Sequence, residues 1–142
     1  MMLSDNTVFI TGGSSGIGFA LTKGFLELKN TVIICGRNSD KLKQVKERFP
    51  EIHVIHCDVK NKDDVKNAFE VIKNEFSELN ILVNNAGIQY RFDFREDQDA
   101  IEKIDEEIDT NFRAIVRLTK LFIPILERAN NQPLLTSPLV WV

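Results

Sequence analysis

The chain has 142 residues and a mass of 16.2 kDa, the size of one domain burying roughly two thirds of the surface that its unfolded form exposes. With 43% hydrophobic and 27% charged residues, 7 Gly and 4 Pro, its composition is globular, neither disordered nor fibrous. A net charge of -3, with no Lys/Arg cluster, argues against nucleic acid and anionic membrane as partners.

No apolar stretch is longer than Val32 to Cys35, too short to span a bilayer, and the N-terminus lacks a secretion signal, so the cytoplasm is the expected location. There Cys35 and Cys57 are expected as buried free thiols.

Thr7 to Ile10 reads as a buried strand running into the turn Gly12-Gly-Ser-Ser-Gly16. Ile17, Ala20, Leu21, Gly24, Phe25 and Leu28 then recur at helical spacing, and Asn30 suits the helix end. A β-branched run, Thr31 to Cys35, precedes a helix capped by Ser39 or Asp40, carrying Leu42, Val45 and Phe49 and stopped by Pro50. Ile52 to His56 forms a third strand. Asn61 caps a helix with Asp63 and Asp64 at its positive end and Val65, Ala68, Phe69, Ile72 and Phe76 on its apolar stripe. Ile81 to Val83 is a fourth strand, ending at Asn84-Asn-Ala-Gly87.

Gln89 to Asp99 reads as a surface loop, and Ala100 to Arg128 as one long helix with Ile101, Ile104, Ile108, Phe112, Ile115, Phe122 and Leu126 on one face. Four strand-helix cycles imply right-handed crossovers, hence an α/β fold with a doubly wound, Rossmann-like parallel sheet.

Thr11-Gly-Gly-Ser-Ser-Gly-Ile-Gly18 lies where a helix N-terminus turns free amides and a positive dipole end toward a phosphate. Gly12 would permit the tight turn, Gly16 the approach of a pyrophosphate, and Gly18 close packing of helix on sheet. A merely structural turn is the competing reading. A P-loop is excluded, because Phe19 and Ala20 stand where Lys and Ser/Thr would have to follow Gly18.

The spacing Gly-x-x-x-Gly-x-Gly, followed three cycles later by Asn84-Asn-Ala-Gly87, resembles the short-chain dehydrogenase/reductase family, whose loop reads TGxxxGIG and whose fourth strand ends in NNAG. The resemblance covers Thr7 to about Arg128. It implies an NAD or NADP site formed by Gly12, Ser14, Ser15, Gly16, Ile17 and Gly18, with Asp58 and Val59 as adenine contacts and Asn85, Ala86 and Gly87 lining the ribose side. The competing reading of Asp58 is a loop carboxylate or cap. At the end of the second strand, Cys35-Gly36-Arg37 offers no carboxylate to hold a ribose 2′-hydroxyl and a guanidinium suited to a 2′-phosphate, which favours NADP over NAD. Arg37 could equally be a solvated surface residue.

Asn111 falls on the apolar stripe of the last helix, where a buried amide needs partners. Either it satisfies neighbouring backbone or, as the resemblance implies, it is the asparagine of the family's catalytic tetrad, helping to hold a water on a proton relay. The tetrad's serine and its YxxxK tyrosine and lysine do not appear: Tyr90 is the single tyrosine, with Phe94 four residues on. His53 and His56, three apart on a strand, point to opposite faces, so no metal site is expected.

Residues 1–128 are therefore expected to form an NAD(P)-binding portion, truncated after the fourth strand and long helix, leaving that strand at a sheet edge. Residues 129–142 would be an aberrant tail. Read one base out of phase, a permitted codon choice for Pro133 to Val142 encodes Val-Ile-Asn-Val-Ser-Ser-Gly-Leu-Gly, the pattern of the family's next strand, so a frameshift is the expected origin of this tail. The implied partners are a nicotinamide dinucleotide, a small alcohol or carbonyl substrate in the intact family, and a second copy of the chain. A non-catalytic nucleotide-binding or interaction fragment is the alternative; a methyltransferase is disfavoured by the lack of an acidic residue at Gly36-Arg37.

Overall fold

The computed structural model describes residues 4–129 and 134–136. Strands β1 (Thr7–Thr11), β2 (Thr31–Gly36), β3 (His53–His56), β4 (Leu79–Val83) and β5 (Leu134–Thr136) form one parallel sheet in the order β3-β2-β1-β4-β5. Between them lie α1 (Gly16–Glu27), α2 (Ser39–Arg48), α3 (Lys62–Glu75), α4 (Ala100–Ile108) and α5 (Ala114–Leu126). This is the doubly wound architecture expected from the strand-helix alternation.

The central strands are apolar on both faces, and alternate residues enter different layers. Phe9, Ile33, Cys35 and Leu82 pack with Val65, Ile72, Leu118 and Phe122 from α3 and α5. Val8, Ile10, Val32, Ile34, Ile81 and Val83 meet Leu42 and Val45 of α2, with Phe19 and Phe25 of α1 against them. A two-residue period along each strand thus feeds two cores, the pattern of a sheet covered on both sides. Both cysteines are buried and free. The hydrogen bond to the Cys57 thiol, with burial, holds the Cys35 thiol above its ordinary pKa.

Three asparagines lace the opposite end of the sheet. The register of β4 on β1 shifts between Thr7 and Val8, and Asn80 fills the irregularity by accepting from Thr7 N (3.0 Å) and donating to Asn6 Oδ1 (2.8 Å). Asn6 donates through its backbone and side-chain amides to Asn30 Oδ1 (2.9 and 3.0 Å), while Asn30 Nδ2 caps α1 at Phe25 O (2.7 Å).

Four expectations are corrected. The cap of α2 is Asn38, whose side chain accepts from Lys41 N, in place of Ser39 or Asp40. Helix α1 packs through Gly18 and Thr22, whereas Ile17, Leu21 and Leu28 are exposed, because the close approach to the sheet is made on the face of its smallest residues. The long helix is interrupted by a π-turn, Asp109–Arg113. The widened turn shifts the phase of the helix by about one residue, roughly 100°, so the stripe cannot face the core throughout: Ala114, Leu118, Phe122, Ile125 and Leu126 are buried, while Ile101, Ile108 and Phe112 face outward. Finally, β4 is not an edge. Leu134 to Thr136 pairs in parallel with Ile81 to Val83, because a fully buried strand leaves a row of backbone donors and acceptors that a short extended segment satisfies. This strand lies within the segment set apart as a tail; residues 130–133 and 137–142 lie outside the described residues.

Candidate functional site

After β3 the chain returns to the other side of β1, so the crevice at the carboxyl ends of β1 and β4 is a topological switch point, where open α/β sheets take ligands. Thr11, the last residue of β1, holds the two motif segments together there. Its hydroxyl oxygen accepts from the amides of Asn85 and Ala86, each at 3.0 Å, and donates to Val83 O at 3.4 Å. Asn85 Nδ2 returns bonds to Thr11 O (3.0 Å) and Gly12 O (3.3 Å). On the other side, Gly12 N and Gly13 N donate to Cys35 O at 2.8 and 3.3 Å, fixing the glycine loop over the end of β2.

Gly12 and Gly16 have positive φ, 69° and 55°, the left-handed conformation that favours glycine. Nothing lies within 4 Å of a Cβ placed on Gly16, whereas one on Gly18 would strike Gly12 O and Asn85 Nδ2. The loop is therefore open at Gly16 and packed shut at Gly18. Helix α1 begins with no side-chain cap on Ser15 and no acidic residue in its first turn, leaving its first amides and positive dipole end uncompensated by side chains.

These segments wall a cavity of about 850 Å³, within the range of small-molecule and cofactor sites. Gly12, Ser14, Ser15, Ile17, Gly18, Arg37, Asp58, Val59, Asn85, Ala86, Gly87 and Asn111 all line it; Gly16 alone of the sequence-selected residues does not. Arg37 is exposed, and its carbonyl accepts from His56 Nε2 at 3.2 Å. Asp58 Oδ1 accepts from Lys60 N (3.0 Å), and Asp58 N donates to Asp64 Oδ2 (2.9 Å), so the Asp58 carboxylate shapes its own loop while facing the cavity. Asn111 pairs with the backbone of one residue: its Nδ2 donates to Ile88 O (2.7 Å) and its Oδ1 accepts from Ile88 N (2.9 Å). That amide braces the chain leaving β4 from the π-turn.

Sequence reasoning did not single out the bracing hydroxyl of Thr11, nor Lys41, Glu107 and Thr110 in the cavity wall. It also missed the polar cluster beside that wall, in which Glu106 accepts from Lys60 Nζ and from Tyr90 Oη, the latter at 2.5 Å. The Lys60 hydrogen bond holds the Glu106 carboxyl below its ordinary pKa, with Tyr90 acting in the same direction; the Glu106 hydrogen bond raises Lys60 correspondingly. Helix-surface charges carry no signal in the sequence for such a convergence.

The family model for short chain dehydrogenase matches residues 6–132. The chain belongs to the short-chain dehydrogenase family. It is 45% identical over 126 residues to the uncharacterized oxidoreductase DltE of Bacillus subtilis, covering 89% of this chain and 50% of that protein. It is 28% identical over 125 residues to the NADP-dependent 3-hydroxy acid dehydrogenase YdfG of Escherichia coli, covering 87% and 50%. A crystal structure of a short-chain dehydrogenase from Streptomyces avermitilis superposes with a TM-score of 0.76 at 24% identity, over 85% of this chain and 44% of that one, a likeness of fold. The chain spans about half the length of the curated relatives it matches. Among the described residues, no helix is long and apolar enough to cross a membrane.

Proposed function

We propose that residues 1–128 form the dinucleotide-binding portion of a short-chain oxidoreductase, with NADP preferred over NAD. The observation that carries this reading is the joining of Thr11 to Asn85 and Ala86, which brings the glycine loop and the NNAG segment to one cavity. The cavity fits the group: uncapped α1 amides suit a pyrophosphate, Gly12, Ser14, Ser15 and Ile17 of the glycine loop line the cavity, and about 850 Å³ accommodates a ligand of that class.

In this reading Gly12, Ser14, Ser15, Gly16, Ile17 and Gly18 hold the pyrophosphate, Asp58 and Val59 the adenine, and Asn85, Ala86 and Gly87 the ribose. Arg37 meets a 2′-phosphate, and a relative bearing an NADP-dependent name supports that choice. When bound, the nicotinamide supplies or accepts the hydride exchanged with a small alcohol or carbonyl compound. Asn111, bonded to the backbone of Ile88, steadies the segment after β4 and would help hold a water on a proton relay. A second reading, binding without turnover by these residues, is favoured by Tyr90, the single tyrosine, whose hydroxyl donates a hydrogen bond to Glu106 outside the cavity wall. The chain is expected in the cytoplasm and as a homo-oligomer.

Fluorescence titration with NADPH and NADH tests the cofactor. The phosphorylated form should bind more tightly, and Arg37→Ala should weaken it about tenfold, the worth of a charge-assisted hydrogen bond at an exposed site, with little effect on NADH. Tighter NADH binding, or an Arg37→Ala variant indistinguishable from wild type, would remove the assignment.

A further inference from the structure

The adenosine end of the proposed groove is walled by three stretches of chain, and a single carboxylate outside the groove ties all three. Glu106, on α4, accepts from the Lys60 ammonium on Oε1 and from the Tyr90 hydroxyl on Oε2. Lys60 directly follows Asp58 and Val59, and Tyr90 directly follows Ile88 and Gln89, all four of which line the cavity. The ties are reinforced on both sides. Glu107 accepts from the Tyr90 amide, and Arg117 on α5 donates to Lys60 O at 3.1 Å.

We propose that Glu106 is a positioning residue for the cofactor: by holding Lys60 and Tyr90 on its two oxygens, it fixes the separation of the β3–α3 loop and the segment after β4, between which the adenosine half binds. This rests on the dinucleotide reading above. Glu106 and Lys60 side chains retain 36% and 26% exposure, and a pair so placed contributes little to global stability. Its consequence is local. Two loops are kept at one spacing before ligand arrives, which lowers the ordering cost of binding. The contact is to loops flanking adenosine, the part that NADP and NAD share, so the affinity of both depends on it.

Glu106→Gln keeps the size of the side chain and removes its charge. In the free chain, amide hydrogen exchange at residues 58–60 and 88–90 should accelerate while the melting temperature stays close to that of wild type. The dissociation constants of NADP, NAD and adenosine 2′,5′-bisphosphate should all rise by about five- to tenfold, the effect of roughly 1 kcal/mol. Lys60→Met should reproduce this and Lys60→Arg should retain wild-type binding. Glu70→Gln, which breaks an exposed pair with Lys73 on α3 (3.7 Å), should behave as wild type. Unchanged exchange and affinity in Glu106→Gln overturn the proposal, as does weakened binding matched by a general loss of thermal stability. If the wild-type chain binds neither dinucleotide, the proposed function fails, and the exchange rates at 58–60 and 88–90 still decide whether Glu106 sets the two loops.

Discussion

Thr11 shows how much a single hydroxyl carries at this site. One oxygen accepts two backbone amides from the NNAG segment, 74 and 75 residues away in sequence, and donates to a third peptide group. Thr11→Val preserves shape and β propensity but leaves the Asn85 and Ala86 amides without that acceptor. The expected cost is about 2 kcal/mol, the penalty for part-buried unpaired donors, read as a lower midpoint in urea unfolding with an unchanged slope. A variant as stable as wild type would show that the two segments are held by something else. The glycines of this loop were legible in the sequence because their spacing and their place between strand and helix limit what they can be. The role of Thr11 was not, since it depends on partners that only the folded sheet brings near. Asn111 stood out as a polar residue on an apolar stripe, yet its exchange of two hydrogen bonds with the Ile88 backbone required the structure.

At the scale of elements, the strands and α3 follow closely from local chemistry. Asn61 accepts from the amides of Asp63 and Asp64 as its position ahead of an acidic first turn predicts. The last helix departs from its sequence pattern for a physical reason: hydrophobic periodicity assumes a constant turn, and the π-turn at Asp109–Arg113 breaks that assumption in the middle of the run. One consequence is an apolar outer surface. Ile101, Ile108, Phe112, Val116 and Ile123 are spaced to share one side of α4 and α5, and all are exposed, Phe112 by 66%. A contiguous apolar stripe of this kind favours association between copies. Sedimentation velocity across a concentration series should show self-association that Phe112→Glu weakens, whereas a wild-type chain monomeric throughout would contradict it. Phe112→Glu should leave the melting temperature nearly unchanged, because the substituted side chain is already in solvent.

Across the whole molecule, the doubly wound order was readable because four β-branched runs alternate with four helical patterns, and handedness restricts how such units return to one sheet. The position of β5 was not readable. Leu134 to Thr136 gains its meaning from the open side of β4, beside which it pairs residue for residue with Ile81 to Val83, and three residues carry no period of their own. The crevice lies at the opposite side of β4's carboxyl end, toward β1, where the strand order reverses. Everything proposed for function depends on that crevice being the dinucleotide site.

Hydrogen exchange of the chain with and without NADP tests this claim most directly. Saturating NADP should slow exchange in the glycine loop at 12–18, at 36–37 beyond β2, at 58–59 beyond β3 and at 85–88 beyond β4, leaving the outer face of α4 and α5 unaffected. No protection at saturating NADP, or protection confined to residues outside these four segments, would contradict the account.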